Sequence, residues 1–191
     1  SGVPGLLQEL FEGLCAMGEG VVLDLRGRGG STGEVAKIVD VLKTQRKTRR
    51  LPLVALVDRQ SRSAKEVLAD ILKTDGVATL VGERTAGAVV GATFADVGHG
   101  CVLMFPVVKV VPYTDRIETK GVEPDVAVQR AGPYSGGADP ILDAGLAEAV
   151  RLSGGPFIDL AWRAEPSQKT SPLTGVAATG WRVATRKERE P

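Results

Sequence analysis

Hydrophobic positions in the first half of the chain alternate between short continuous runs and helical spacing. The runs "GVVLDL", "LPLVALVD" and "ATLVGE" are typical of buried strands, whereas "GEVAKIVDVLKT" and "SAKEVLADILKT" place apolar residues on one helical face. A strand–helix–strand–helix–strand order at this spacing predicts a parallel sheet covered by helices. A further amphipathic helix is predicted before the first strand, with Leu6, Leu7, Leu10, Phe11 and Leu14 on one face.

The pattern changes after Gly87. Residues 91–111 predict two strands joined by a turn at residues 98–100, and "VEPDVAV" predicts a further short strand. "DPILDAGLAEAVRL" predicts a helix with Asp139 as its N-cap and Pro140 at its first position. Periodicity fades from Ser153 onward. We therefore expect one core domain over residues 1–152 and a partly disordered C-terminal extension over residues 153–191.

Composition narrows the possible partners. The chain has 191 residues, enough for one domain with a real core, and its 24 Lys and Arg nearly balance its 23 Asp and Glu. Without a global basic field, nucleic acid is not an expected partner. The basic run at residues 43–50 is interpreted as a solvated loop.

Cysteine and histidine content gives no sign of a metal site. Cys15 and Cys101 lack metal-ligand spacing, and His99 is the single histidine. Both cysteines are interpreted as small buried hydrophobic residues, with a disulfide between them left open. We expect no metal and no cofactor, and no segment approaches the length of a membrane span.

The Gly-rich turn in "LDLRGRGGSTG" raises the question of an anion site. Backbone N–H groups at such a turn and at a helix N-terminus favour negative charge. The glycine spacing does not match G-x-G-x-x-G, and no G-x-x-x-x-G-K-[ST] is present. Nucleotide binding is therefore disfavoured, which leaves a purely structural turn or a site for some other anion.

A second turn, in "VDRQSRSAKEV", follows the next predicted strand and holds Ser63 at the start of a helix. The helix N-terminus offers unpaired N–H groups to a developing oxyanion, which suits a nucleophilic serine. The same serine begins S-x-x-E, the pattern of a capping box with Glu66. Ser61 is an alternative cap. In an open α/β sheet both turns lie at the carboxyl ends of neighbouring strands, which would bring Gly29 and Gly30 beside Ser63.

Five motifs in order resemble the C-terminal processing (tail-specific) peptidases. They are a strand ending "LDLR" before a Gly-Gly turn, the serine turn "SRSAKE", "VGERTAG", a hairpin, and "KGVEPD", together spanning about residues 18–152. The resemblance implies a ClpP/crotonase-like α/β fold, with a mostly parallel sheet covered by helices and an added antiparallel hairpin. It also implies a serine peptidase acting on polypeptides.

The resemblance assigns roles to particular residues. Ser63 falls at the nucleophile's position, and the backbone N–H groups of Gly30 and Ala64 fall where the oxyanion hole forms. Gly29 replaces the proline that is common in the family. These catalytic roles are implied by the resemblance alone.

The chain departs from the family at the general base. The family's lysine position matches Ala88 in "RTAGAVVGA", and a nearby glutamine position matches Ala92. A serine without a base is a poor nucleophile. Lys65 diverges from Ser63 on the helix and is expected to pair with neighbours or water. His99, in the predicted hairpin turn, is interpreted as a solvated histidine, with a role as base as the alternative.

The tricorn protease core, a related branch, offers another arrangement because it uses Ser, His and Glu. Glu118 in "RIETKGVEPD" lies where that branch has its glutamate, although it could equally be a plain strand-end carboxylate. The corresponding histidine would lie upstream of Ser1. The family's N-terminal region and PDZ domain are not recognisable, so the chain resembles the core of a larger protease and is expected to be weak or inactive alone.

Three functions are compatible with these features. The first is a serine endopeptidase domain that cleaves polypeptides near their C-termini through an acyl-enzyme on Ser63. The second is an inactive pseudoprotease that binds peptide, supported by the missing lysine. A crotonase-type acyl-CoA enzyme shares the fold but not the peptidase motifs. By resemblance we expect a cell-envelope, extracytoplasmic location. Substrate preference and oligomeric state stay open.

Overall fold

The computed structural model describes residues 2–13, 20–132 and 136–154. Five helices and six strands occur in these residues. In chain order they are α1 (Val3–Glu12), β1 (Val21–Asp24), α2 (Thr32–Arg49), β2 (Leu53–Val57), α3 (Ala64–Thr74), β3 (Thr79–Gly82), β4 (Gly91–Asp96), β5 (Val102–Val108), α4 (Tyr113–Ile117), β6 (Val126–Ala127) and α5 (Pro140–Ser153).

A four-stranded parallel sheet with the order β1-β2-β3-β6 confirms the predicted topology. The continuous apolar run of β2 is buried along its whole length because helices cover both faces of the sheet. One face packs against α1, α2 and α3, and the other packs against α5. The architecture is the ClpP/crotonase-like α/β fold. No helix in the described residues is both long and apolar enough to cross a bilayer.

The hairpin of β4 and β5 forms a separate antiparallel sheet, as predicted. Its residues are largely exposed, and the Phe94 side chain is 68% accessible. The interpretation of Cys101 as a buried hydrophobic residue is therefore wrong, since its thiol is exposed and free at the turn of this hairpin. Cys15 lies outside the described residues.

One local prediction is wrong, and one short helix was missed. Residues 43–49 are the last two turns of α2 rather than a loop, because Lys, Arg and Gln are good helix formers and the first proline comes only at Pro52. The helix ends at Arg49, and its C-cap residue Arg50 has a left-handed φ of 54°. The short helix α4 was not predicted, since five residues are too few to show a helical period.

The predicted cap of α5 is confirmed. The Asp139 carboxylate accepts a hydrogen bond from the Leu142 N–H, and Pro140 occupies the first turn. The helix ends at Ser153. The proposed C-terminal extension lies, from residue 155 onward, outside the described residues.

Candidate active site

The Gly-rich turn after β1 and the serine turn after β2 are joined by buried hydrogen bonds. Asp58 Oδ1 accepts from the Gly27 N–H at 3.0 Å, and the Ser61 hydroxyl lies 3.0 Å from the Leu25 carbonyl oxygen. Asp58 Oδ1 also accepts from the Ser61 N–H at 2.8 Å. Both side chains are buried, so these bonds fix one turn against the other.

Gly30 packs against the first residue of α3. Its φ of +144° is a conformation that residues with side chains rarely adopt. A Cβ placed on Gly30 would lie only 3.0 Å from the Cβ of Ala64. Glycine is thus the residue that allows this close approach, and the structure brings together the two residues that the sequence suggested for an oxyanion hole.

Ser63 occupies the N-cap of α3. Glu66 lies at the third position of the helix, and its Oε2 accepts from the Ser63 N–H at 3.2 Å, which is the carboxylate half of the predicted S-x-x-E capping box. Ser61 is not the cap, because its side chain is fully buried beneath the turn. Ser63 has φ 59° and ψ −129°, a strained conformation for a non-glycine residue that costs about 1 to 3 kcal/mol. Strain of this kind is common where a serine nucleophile projects from a strand-to-helix turn.

The carboxylate of Glu66 is the centre of the site's hydrogen bonding. Its side chain is fully buried, with 0% exposure. Oε1 accepts from the Thr85 hydroxyl and the Gly87 N–H, each at 2.6 Å. Oε2 accepts from the Ala88 N–H at 2.8 Å and the Ser63 N–H at 3.2 Å. Four donors therefore satisfy one buried charge and hold residues 85–88 against the start of α3.

Sequence reasoning missed this network, although both of its halves were visible. Glu66 was recognised only as part of a capping box, and Thr85 and Gly87 only as part of the "VGERTAG" motif. Their hydrogen bonds join residues 19 and 21 positions apart. A buried carboxylate paired with a downstream T-x-G is the signal that would have connected the two motifs.

Ala88, at the family's lysine position, lies directly beside Ser63. Its carbonyl oxygen accepts from the Ser63 N–H at 2.9 Å, and its side chain is exposed. The position is thus close to the candidate nucleophile, but alanine provides no base there. Ala92, at the glutamine position, is exposed on β4.

Glu118 caps the C-terminal end of α4 rather than ending a strand. Its Oε2 accepts from the Val89 N–H at 2.8 Å and the Val90 N–H at 3.0 Å. No hydrogen bond joins Glu118 to Ser63 in the described part of the chain. Glu118 instead binds the backbone of Val89 and Val90, which directly follow Ala88, the residue whose carbonyl oxygen accepts from Ser63.

The other two candidate bases, Lys65 and His99, make no hydrogen bond with Ser63 in the described residues. Lys65 Nζ donates to the Arg26 carbonyl at 2.7 Å, which confirms that it pairs with a neighbour. His99 is exposed in the turn of the separate hairpin, and among the described contacts its side chain makes no hydrogen bond with Ser63. In the described part of the chain, neither side chain is hydrogen-bonded to Ser63.

Arg26, the last residue of "LDLR", joins the end of β1 to the start of α5. It pairs with Asp24 and with Asp139, each at 2.7 Å. The Arg26 hydrogen bond is the main cause that lowers the pKa of Asp139. Burial raises the pKa of Asp24, but the hydrogen bonds from Arg26 outweigh it and the net shift is downward. The same hydrogen bonds raise the pKa of Arg26.

The sequence around this site matches a known protein family. The sequence model of peptidase family S41 matches residues 33–128, which is half of the chain and includes both Ser63 and Glu118. The chain belongs to peptidase family S41. This S41 chain is 40% identical over 76 residues to carboxyl-terminal-processing peptidase 3, chloroplastic, of Arabidopsis thaliana, a match that covers 39% of the chain. It is 32% identical over 151 residues to tricorn protease homolog 1 of Streptomyces coelicolor, covering 69% of the chain.

A solved structure also resembles the S41 chain. The crystal structure of the tricorn protease superposes with a TM-score of 0.51 at 25% identity, over 70% of this chain and 15% of that one. The chain spans only 15% of the Arabidopsis relative and 14% of the Streptomyces relative.

The Glu66 network predicts a large loss of stability when one acceptor oxygen is removed. Glu66→Gln keeps the shape of the side chain but leaves two of the four donors without an acceptor. We expect the free energy of unfolding in urea to fall by about 2 to 4 kcal/mol. Glu123→Gln, at an exposed ion pair with Arg84, is the matched control and should change stability by less than about 0.5 kcal/mol. Equal small effects would contradict the role given to Glu66.

The Arg26–Asp139 pair predicts an acid-dependent contribution to stability. Because the pKa of folded Asp139 lies below the ordinary 3.8, the pair stabilises the fold above about pH 4, and this is lost as the pH falls through the lowered pKa. The Asp139 side chain is 35% exposed, so screening limits the effect to less than about 1 kcal/mol.

Asp139→Asn tests this contribution, because asparagine still caps α5 but carries no charge. We expect the variant to be slightly less stable than the parent at pH 7 and to approach it as the pH falls from about 4 to 2.5. Urea unfolding across this pH range measures the difference. A difference that stays constant with pH would show that Asp139 acts only as a cap.

Proposed function

We propose that this S41 chain is the catalytic core of a serine endopeptidase that cleaves polypeptides near their carboxyl ends. The observation that carries the proposal is the position of Ser63: it stands in strained backbone at the N-terminus of α3, with Gly30 packed against Ala64. The names of relatives, which include a carboxyl-terminal-processing peptidase, support the C-terminal preference.

In the proposed mechanism the Ser63 oxygen attacks the scissile carbonyl carbon. The N–H groups of Gly30 and Ala64 stabilise the negative oxygen of the tetrahedral intermediate. The C–N bond then breaks, and the proton taken from Ser63 passes to the departing amine, which leaves an acyl-enzyme. Water hydrolyses the ester and restores the serine.

The proposed general base is a histidine outside this chain, oriented by Glu118. Two amides already hold Oε2 of that carboxylate, and in the described part of the chain Oε1 has no hydrogen-bond partner, so Oε1 is the oxygen that would receive the imidazole. An extracytoplasmic location belongs to the same proposal. It is supported only by relatives named as chloroplastic and bacterial processing proteases.

Fluorophosphonate labelling read by mass spectrometry tests for an activated serine in the longest natural form of the protein that contains this chain. We expect an adduct on Ser63 that disappears in Ser63→Ala. Ser61 is a built-in control, because its buried hydroxyl should stay unlabelled. A folded protein with no adduct on Ser63 would contradict the proposal and favour a peptide-binding pseudoprotease.

Ala88→Lys tests whether residue 88 faces the nucleophile as the family pattern requires. An amine beside Ser63 should act as a base, and we expect the labelling rate at Ser63 to rise at least about tenfold. Ala92→Lys adds the same charge at another exposed position and should leave the rate near the parent value. A rate unchanged by Ala88→Lys in a folded protein would argue against the proposed geometry.

A further inference from the structure

The hairpin of β4 and β5 exposes apolar side chains on both of its faces. Opposite residues of the ladder share a face, so Phe94, Val102 and Met104 lie on one side of the hairpin, and Leu103 and Phe105 lie on the other. All five side chains are exposed. A two-stranded sheet is at best marginally stable by itself in water, and an exposed apolar patch commonly marks an interaction surface. The hairpin therefore has the character of an interface.

The hydrogen-bond pattern of the hairpin shows which backbone groups face its open edges. The Val97 N–H donates to the Cys101 carbonyl oxygen at 3.1 Å, so these two residues form a hydrogen-bonded pair. Hydrogen-bonded and non-hydrogen-bonded pairs alternate along an antiparallel ladder. Ala92, Phe94 and Asp96 therefore belong to non-hydrogen-bonded pairs with β5, and their N–H and C=O groups point outward along the free edge of β4.

The free edge of β5 is blocked against a further strand, whereas that of β4 is open. Pro106, in the outward-facing register of β5, has no N–H to donate, and Val107 is an extra residue that makes a bulge in the pairing. Proline and bulges are devices by which proteins prevent edge-to-edge pairing. β4 has no proline and no lysine, and its single charge, Asp96, is its last residue.

The outward-facing backbone groups of β4 have no partner among the described residues. The two strands of the hairpin pair with each other and with no other strand of the described chain. No backbone hydrogen bond outside the hairpin's own ladder involves Ala92, Phe94 or Asp96. A free, apolar and almost uncharged edge strand is a template for pairing with another strand.

We propose that two copies of this chain pair through their β4 strands, antiparallel and in a two-fold register centred on Phe94. Each Phe94 then lies directly opposite its counterpart, and each Ala92 lies opposite the partner's Asp96. The outward-facing residues form three hydrogen-bonded pairs, which together make about six backbone hydrogen bonds. The result is a four-stranded antiparallel sheet with the β5 strands outermost.

The chemistry of β4 favours a second copy as the occupant of its edge. An antiparallel pair of identical strands is self-complementary, so every contact is made twice. In this register the two Asp96 carboxylates lie beside alanine and away from each other, which avoids the destabilisation caused by like charges directly opposite. The two Phe94 rings meet at the centre, and cross-strand aromatic pairs stabilise sheets. The net charge of +1 causes little repulsion between copies.

Sedimentation equilibrium on the longest natural form of the protein that contains this chain measures the association. A single strand pair is smaller than a standard interface of about 800 Å² per partner, so we expect a weak dimer with a dissociation constant of about 10 to 100 µM. Phe94→Lys places two ammonium groups opposite each other at the two-fold axis and should weaken the dimer at least about tenfold.

Leu103→Lys is the matched control for Phe94→Lys. It adds the same charge at another exposed position of the hairpin, but on β5 and on the opposite face. We expect it to change the dissociation constant by less than about twofold.

A disulfide trap tests the register and does not depend on the folding of Phe94→Lys. Phe94→Cys is made in a background whose other cysteines, Cys15 and Cys101 among them, are replaced by serine. Opposite Cα atoms of a hydrogen-bonded pair are about 5.5 Å apart, within the range of a disulfide, so mild oxidation should give a covalent dimer. Leu103→Cys should not, because three strand spacings, about 14 Å, separate the two β5 strands.

Three results would overturn the proposal. They are a protein that stays monomeric up to about 500 µM, well above the expected dissociation constant, a dimer that Phe94→Lys does not weaken, and a disulfide that forms at Leu103→Cys as readily as at Phe94→Cys. A monomer whose β4 amides are nevertheless protected from exchange would assign the edge to another segment or to a bound peptide, and would also overturn it. None of these measurements requires catalysis, so failure of the proposed peptidase function is read separately from the labelling of Ser63.

Discussion

The arrangement of the candidate site depends on one buried carboxylate. Glu66 has no solvent contact, so its charge is tolerated only because four donors surround it. Three of those donors come from residues 85–88, and the fourth is the N–H of Ser63. The Glu66 carboxylate therefore gives the Ser63 N–H, at the start of α3, a hydrogen-bond acceptor. It also holds the segment after β3 beside the candidate nucleophile.

A second buried carboxylate, that of Asp58, fixes the backbone on the other side of Ser63. Asp58 holds the Gly-rich turn through Gly27 and the serine turn through Ser61. With both turns fixed, Gly30 lies against Ala64 as only a glycine can. Asp58 and Glu66 thus hold the serine turn from its two sides. The strained Ser63 lies between the Gly-rich turn, which Asp58 binds, and residues 85–88, which Glu66 binds.

Much of this could be predicted from the sequence because it depends on local pattern. The buried strands, the helix starting at Ser63 and the cap of α5 at Asp139 all follow from residues within a few positions. Apart from Ser63, the partners of Glu66 and Glu118 lie 19 to 29 positions away, so no local pattern indicated them. Cys101 was misjudged for a related reason: its apolar strand belongs to a hairpin that the main sheet does not cover.

The central claim is that Glu66 holds residues 85–88 firmly against α3, and amide hydrogen exchange measured by NMR tests it most directly. Gly98 is an internal reference, because its N–H also bonds to a carboxylate, that of Asp96, but in an exposed turn. The account predicts that the amides of Gly87 and Ala88 exchange at least about a thousandfold more slowly than that of Gly98. Exchange at Gly87 and Ala88 as fast as at Gly98 would contradict it.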